Sequence, residues 1–188
     1  MTDASAHLAA VALAILAALL VVGRSLAGTG GTREMARTRW QYVWILFPVD
    51  YALLLRHPVR LETPSWYDAL LRPLGLTLML AGTLLVGWAY VTLGREWSGS
   101  ISVRRGHRVV DRGPFALIRH PVYAGFLAGV AGAALALADP VVALGALVSV
   151  PLMYGRARAE ERLLEDRLGD AYRDYRRRVP MFVPRLFG

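Results

Sequence analysis

The chain contains no cysteine and no lysine among its 188 residues. Without cysteine there is no disulfide framework, no zinc–thiolate site and no cysteine nucleophile. Neither of these two side chains is available to form a covalent intermediate. The 22 basic residues are therefore all arginines, and with 14 acidic residues they give a formal net charge of +8. Because the arginines lie in segments between apolar runs, this charge fits anionic lipid headgroups better than nucleic acid.

Long apolar runs are the main feature of the sequence. Hydrophobic residues make up 55% of the chain, and its mean hydropathy is +0.39. Runs of about 20 apolar residues suit a lipid bilayer rather than the core of a soluble domain. The sequence therefore predicts an all-α, polytopic transmembrane protein with about five spans. The predicted spans are Ala4–Gly23, Trp40–Leu55, Pro73–Leu93, Val122–Ala138 and Pro140–Gly155.

Two of these spans differ from a simple apolar helix. Trp40–Leu55 is short and contains Pro48 and Asp50, so full crossing of the membrane is left open for it. The last two spans form one apolar stretch that is broken only by Asp139-Pro140. Proline lacks an amide hydrogen and disfavours helix in the residue before it. The break therefore predicts a tight helical hairpin, with arms about 24–26 Å long at 1.5 Å per residue.

The arginines also predict an orientation. With five spans, residues 24–39, 94–121 and 156–188 lie on one side of the membrane and hold nineteen arginines. The other side holds only Arg56, Arg60 and Arg72. The positive-inside rule places the arginine-rich side in the cytoplasm, so the N-terminus is expected outside and the C-terminus inside. A bacterial inner membrane is the expected location. The first span has no basic region before it and is expected to be retained rather than cleaved.

The segment after the last predicted span has a different pattern. Leu164, Leu168, Tyr172 and Tyr175 recur at intervals of three and four, with charged residues between them. This spacing is typical of an amphipathic helix. The Gly169-Asp170 step is expected to end one helix and to cap the next. We therefore expect two short cytoplasmic helices joined by a bend.

Short polar motifs adjoin the apolar runs in the C-terminal part of the chain. They are Gly94-Arg95-Glu96-Trp97-Ser98, Gly106-His107, Arg112-Gly113-Pro114-Phe115, Arg119-His120-Pro121-Val122-Tyr123, Glu160-Glu161, Tyr172, Tyr175 and Arg178-Val179-Pro180. In this order, over roughly residues 75–185, they resemble the isoprenylcysteine carboxyl methyltransferase family, whose relatives include phospholipid N-methyltransferases and membrane thiol methyltransferases. We therefore expect N-terminal transmembrane helices in residues 1–72 and a methyltransferase-like core in residues 73–188.

The resemblance implies an integral membrane enzyme that uses S-adenosylmethionine and releases S-adenosylhomocysteine. Arg119 and His120 are then expected to meet the carboxylate of this donor. Glu160 or Glu161 is expected to meet its ammonium group or ribose hydroxyls, and the choice between them is left open. No metal site is expected. The residues expected to bind the donor are Gly113, Arg119, His120, Tyr123, Arg156, Glu160 and Glu161.

The methyl acceptor is expected to be lipophilic, and its reacting atom (oxygen, nitrogen or sulfur) is left open. A carboxylate acceptor needs only a cation to hold it, and the resemblance makes Arg178 the candidate. An amine or thiol must first lose a proton, so it needs a base, for which Glu161 and His107 are the candidates. Membrane lipids are expected neighbours, nucleic acid is not an expected partner, and the oligomeric state is left open.

Other interpretations of the same residues remain. Arg119 and His120 also suit the end of a loop at the membrane surface. Tyr123 suits an interfacial aromatic, and the spacing of Arg156 and Glu160 suits a solvated helix pair. At the level of function, the alternatives are a membrane reductase of the sterol reductase type that uses NADPH, and a non-catalytic membrane protein.

Overall fold

The computed structural model describes residues 61–94 and 109–185, together with two short strands. The strands are β1 (Glu34–Met35) and β2 (Ser102–Val103), which pair antiparallel. The predicted spans Ala4–Gly23 and Trp40–Leu55, and the candidate base His107, lie outside the described residues. The helical elements in the described part are α1 (Ser65–Leu93), a 3₁₀ turn (Gly113–Ala116), α2 (Pro121–Leu137), α3 (Pro140–Leu168) and α4 (Asp170–Arg178).

Helix α1 begins earlier than the sequence predicted. The predicted span Pro73–Leu93 lies within a longer helix, which starts at Ser65 and contains Pro73. The prediction stopped at the last charge before the apolar run, whereas a helix can continue past charged residues that pair within it. Here Arg72 pairs with Asp68 one turn away, at 2.7 Å. By length and composition, α1 and α3 are able to cross a membrane, and α2 is a shorter apolar helix.

Helices α1 and α2 pack so closely that their backbones touch. A Cβ atom built on Gly75 would lie 2.6 Å from the carbonyl oxygen of Gly132 and from the amide nitrogen of Ala136. A Cβ atom on Gly82 would overlap the carbonyl oxygen of Gly125. Glycine is the residue that permits such an approach. The position of α2 is therefore fixed by backbone contact with α1.

At the C-terminal end of α2, the last carbonyl groups of the helix and that of Ala138 just after it accept hydrogen bonds. The donors lie on α1 and on Leu61, which precedes α1. Such carbonyls have no partner within their own helix. The bonds run from Tyr67 Oη to Leu135 O at 2.9 Å, from Arg72 Nη1 to Ala136 O at 2.6 Å and from Leu61 N to Ala138 O at 3.2 Å.

The predicted hairpin between α2 and α3 is present. Ala138 takes the left-handed conformation, with φ of 50°. The Asp139 carboxylate then caps α3 by accepting hydrogen bonds from the amides of Val141 at 2.8 Å and Val142 at 3.3 Å. Pro140 occupies the first helical position, where its missing amide hydrogen costs nothing. Only Ala138 and Asp139 therefore lie between the two helices.

The C-terminal helices differ from the prediction of two short ones. Residues 156–168 continue α3 without a break, so the first predicted short helix is part of a helix of 29 residues. Gly169 ends it with a φ of 56°, which favours glycine. Asp170 is the first residue of α4 rather than its cap. Sequence patterning could not show that the charged segment prolongs the apolar helix.

Candidate functional site

The site begins at the 3₁₀ turn that precedes α2. Gly113 has a φ of 58°, and a Cβ atom there would lie 2.7 Å from the Thr92 hydroxyl near the end of α1. Gly113 therefore allows the turn to pack against the end of α1, whichever ligand the protein binds. Phe115 is buried in the turn, and its carbonyl oxygen accepts a hydrogen bond from the Tyr175 hydroxyl at 2.7 Å. The turn thus holds α4 against the start of α2.

The segment after α4 runs beside the start of α2. The amide of Arg119 donates to the carbonyl oxygen of Pro180 at 2.8 Å, and the amide of His120 donates to that of Met181 at 3.1 Å. On the buried face of α4, burial raises the pKa of the Tyr172 and Tyr175 phenols above their usual range. Tyr175 therefore remains a protonated hydrogen-bond donor to a higher pH than an ordinary tyrosine would.

Arg119 and Glu161 form the centre of the network. The Nε and Nη2 atoms of Arg119 both lie 2.7 Å from Oε1 of Glu161. The Glu161 side chain is only 2% exposed. The Nη1 atom of Arg119 donates to the carbonyl oxygens of Arg176, at 3.1 Å, and Val179. All three of these Arg119 nitrogens are thus engaged by the protein, and they tie the end of α4 to α3.

His120 lies buried between two aromatic rings. Its ring stacks on Tyr123, with centroids 5.4 Å apart and an interplanar angle of 7°. Phe182 covers it from another direction at 5.8 Å. The Nε2 atom lies 3.3 Å from Oε1 of Glu161, and Nδ1 lies 3.9 Å from Oε2 of Glu160. The imidazole is therefore positioned between two carboxylates.

Tyr123 connects the other predicted residues. Its hydroxyl donates to Oε2 of Glu160 at 2.7 Å and accepts from Nε of Arg156 at 3.0 Å. Arg156 is buried, whereas the Glu160 side chain is 34% exposed. The two neighbouring glutamates thus differ in their surroundings. Glu161 lies inside the protein among cations, and Glu160 faces outward while its inner oxygen is held by Tyr123.

Sequence reasoning missed two arginines that touch this network. Nη1 of Arg158 lies 3.4 Å from Oε2 of Glu161, and Nε of Arg176 lies 3.8 Å from the same oxygen. Arg176 also pairs with Glu165. The spacing of three residues between Arg158 and Glu161 was a visible signal, because residues so spaced are neighbours on a helix. Arg176 had no such signal, since it lies on a separate helix.

Arg178 lies at the end of α4 and is largely solvent-exposed. Its side chain is 65% exposed, and Nη2 is 3.8 Å from a carboxylate oxygen of Asp111. The structure gives it no direct contact with Glu160 or Glu161. Within residues 61–94 and 109–185, no three His, Asp or Glu side chains are arranged to hold a metal ion.

Comparison with known proteins identifies a family for this chain. The model of the isoprenylcysteine carboxyl methyltransferase (ICMT) family matches residues 75–166. The resemblance to this family is thereby confirmed. The ICMT-family segment runs from α1 into the second half of α3, and it contains the predicted site residues from Gly113 to Glu161. It ends before α4, so Arg176 and Arg178 lie beyond the match.

Individual relatives carry several different names. Protein-S-isoprenylcysteine O-methyltransferase B of Arabidopsis thaliana is 35% identical over 113 residues, covering 58% of this chain and 57% of the relative. The cobalt-zinc-cadmium resistance protein CzcN of Cupriavidus metallidurans is 34% identical over 123 residues, covering 64% and 54%. Methanethiol S-methyltransferase 2 of Bradyrhizobium diazoefficiens is 40% identical over 77 residues, covering 39% and 27%. The chain spans about half the length of the first two relatives, or less for the third.

Proposed function

We propose that this protein is an integral membrane methyltransferase that transfers a methyl group from S-adenosylmethionine to a lipophilic acceptor. The observation that carries the proposal is the convergence of His120, Tyr123, Glu160 and Glu161 from two helices of the ICMT-family segment. His120 and Glu161 are 41 residues apart in sequence, and residues that merely ended a loop at the membrane surface would not need to meet in this way. The names of two of the three relatives support the same class of reaction.

The residues present fit the proposed donor. S-adenosylmethionine carries an ammonium group, a carboxylate and ribose hydroxyls, and each needs a polar partner in a partly dry site. Glu160 offers a partly exposed carboxylate to a cation or a hydroxyl. The stacked rings of His120 and Tyr123 offer an aromatic wall beside it. When bound, the donor supplies a methyl group that its sulfonium already activates, so the protein mainly aligns the acceptor and excludes water.

The two glutamates are proposed to have separate roles. Glu160 is the carboxylate that contacts the ligand, because it is partly exposed and because Tyr123, supported by Arg156, fixes its inner oxygen. Glu161 holds α2, α3 and α4 together, because both of its oxygens face cations. Glu161 is therefore a positioning residue in this proposal rather than the catalytic base expected from the sequence. Arg119 and Gly113 are likewise assigned to support of the site, since their contacts are with the protein.

Arg178 remains our candidate for the acceptor side. It is the exposed cation at the end of α4, and its partner Asp111 lies just before the 3₁₀ turn that leads to α2. A guanidinium there can hold a carboxylate acceptor without requiring a base. An amine or thiol acceptor would instead lose its proton to a base, a role that falls to Glu160 or to His107. The names of the relatives include transfer to oxygen and to sulfur.

The membrane arrangement is part of the same proposal. Five spans, with the C-terminus in the cytoplasm of a bacterium, would place α4 and Glu160 on the side where the donor is made. Residues 1–72 would then help to shape the acceptor side, and residues 73–188 would form the methyltransferase core. The arginine distribution supports this orientation. Reporter fusions after residues 65, 110 and 188 test it, and an external C-terminus would contradict it.

Binding to purified protein in detergent tests the activity. We expect S-adenosylhomocysteine to bind and NADPH not to bind; the opposite result would favour the reductase alternative. His120→Ala should weaken S-adenosylhomocysteine binding by about 1–3 kcal/mol, because a positioned polar partner is lost. His57→Ala is the matched control, since residues 56–59 repeat the Arg-His-Pro-Val sequence. Mass spectrometry of membrane lipids and thiols for a one-methyl gain on expression then identifies the acceptor.

A further inference from the structure

The Glu161 carboxylate is shared unequally among the cations around it. Its Oε1 atom has two Arg119 nitrogens at 2.7 Å, in addition to the His120 ring at 3.3 Å. Its Oε2 atom has Arg158 at 3.4 Å and Arg176 at 3.8 Å. Charge-assisted hydrogen bonds between nitrogen and oxygen are normally about 2.7–2.9 Å long. The two outer guanidiniums are therefore held loosely by a carboxylate that is already committed to Arg119.

Arg158 has little else on its own helix to balance its charge. Four residues before it stands Tyr154, and four residues after it stands Arg162, which has the same charge. Partners on a helix stand three or four residues away, and of these positions only Glu161, three residues after Arg158, carries a negative charge. Arg176, by contrast, also pairs with Glu165. Arg158 is thus the arginine of the network with the weakest described ion pair.

Arg158 and Arg176 are also the accessible guanidiniums of the network. Their side chains are 39% and 36% exposed, whereas Arg119 is buried. Both approach the same oxygen of Glu161, although they come from α3 and α4. The three guanidiniums of Arg119, Arg158 and Arg176 face the two carboxylates of Glu161 and Glu165, which leaves one positive charge in excess among these five groups. An anion with two oxygens would suit Arg158 and Arg176, since guanidinium groups bind carboxylates in a bidentate manner.

We propose that Arg158, assisted by Arg176, binds a carboxylate group of a substrate. This inference rests on the proposed function and assigns to Arg158 a role that the family resemblance implied for Arg119. The carboxylate belongs either to the amino-acid part of the methyl donor or to the acceptor. The donor is favoured, because both expected partners of its carboxylate are engaged within the protein. Arg119 is occupied by Glu161 and by two carbonyl oxygens, and Nε2 of His120 lies 3.3 Å from Glu161.

The test compares two ligands with three variants. Binding of S-adenosylhomocysteine and of its decarboxylated analogue, which differs only in lacking the carboxylate, is measured by calorimetry. Arg158→Gln should weaken S-adenosylhomocysteine binding about tenfold to a hundredfold, the usual worth of a hydrogen bond to a charged group. The same substitution should leave binding of the decarboxylated analogue unchanged. Arg158→Lys should fall between, because it keeps the charge but loses the bidentate geometry. Arg162→Gln, at an exposed position one turn further, is the matched control.

Each outcome separates this inference from the function it rests on. Equal weakening of both ligands by Arg158→Gln would show a structural role and overturn the inference. Unchanged donor binding with a raised KM for a carboxylate acceptor would keep the carboxylate site and assign it to the acceptor. If Arg158→Gln changes neither donor binding nor the KM for a carboxylate acceptor, the inference is overturned. Failure of the unmodified protein to bind S-adenosylhomocysteine would instead overturn the proposed function, and this inference with it.

Discussion

Two regions of α2 show contrasting ways of holding a helix in place. Along its length, Gly125 and Gly132 bring its backbone against the backbone of α1 and the side chains of Met79 and Val86. At its N-terminal end, Arg119 and His120 are held by the carboxylate of Glu161. The first region depends on shape and the second depends on charge balance. A ligand can compete for charged partners but not for a contact between backbones, so the polar end is where binding can change the molecule.

Disrupting the polar contacts at the N-terminal end of α2 should destabilise the protein more than disrupting its glycine contacts with α1. Glu161→Ala leaves the buried Arg119 without its carboxylate, and removing one partner of a buried ion pair typically costs about 3–5 kcal/mol. We expect a loss of stability of this size in chemical unfolding in detergent. Asp166→Ala, at an exposed position on the same helix, is the control and should change stability little. Similar stability in both variants would mean that the network is not a structural centre.

The glycine interface should show the next largest effect. Gly82→Ala forces a methyl group into the carbonyl oxygen of Gly125, and overpacking of this kind costs about 1–3 kcal/mol. Gly87→Ala is the matched control on the same helix, because a Cβ atom there meets nothing within 4 Å. It should stabilise the helix by up to about 1 kcal/mol, since alanine is the better helix former. Thermal unfolding that ranks the two variants in the opposite order would refute the close packing.

Substitution of Glu160 should weaken ligand binding while leaving the stability of the protein nearly unchanged. Glu160→Gln keeps an oxygen that can accept from the Tyr123 hydroxyl, so we expect stability to change by less than about 1 kcal/mol. Loss of the negative charge should still weaken S-adenosylhomocysteine binding about tenfold, as measured by calorimetry. Unchanged binding in a folded variant would remove Glu160 from the ligand side of the network and return the question to Glu161.

Substitution of Arg178 should have the smallest effect on stability among these variants. Exposed ion pairs are worth about 0–1 kcal/mol, and its pair with Asp111 is both exposed and long. Arg178→Ala should therefore unfold like the unmodified protein and bind the donor within a few-fold, while its turnover falls strongly. Arg177→Ala, which removes the neighbouring exposed arginine, is the control for charge alone. Weaker donor binding rather than slower turnover would move Arg178 to the donor side.

Local sequence signals predicted local structure and the sites where polar groups gather. The Asp139-Pro140 step predicted the hairpin, and the short motifs around His120 and Glu160 identified residues that the fold brings together. The unequal surroundings of Glu160 and Glu161 could not be predicted. They depend on Arg119 and Arg176, which approach from other elements, and this approach is set by tertiary packing. The early start of α1 was missed for a related reason, because Asp68 and Arg72 look like a boundary until their pairing is seen.

The capped end of α2 has a consequence for the order in which the chain is assembled. Three carbonyl groups in and just after the last turn of α2 receive their hydrogens from Leu61, Tyr67 and Arg72. A hairpin of α2 and α3 that formed without α1 would leave these oxygens without their protein donors, and only water or lipid headgroups could then replace them. Synthesis from the N-terminus avoids this, because α1 leaves the ribosome first and its donors are already present when α2 arrives.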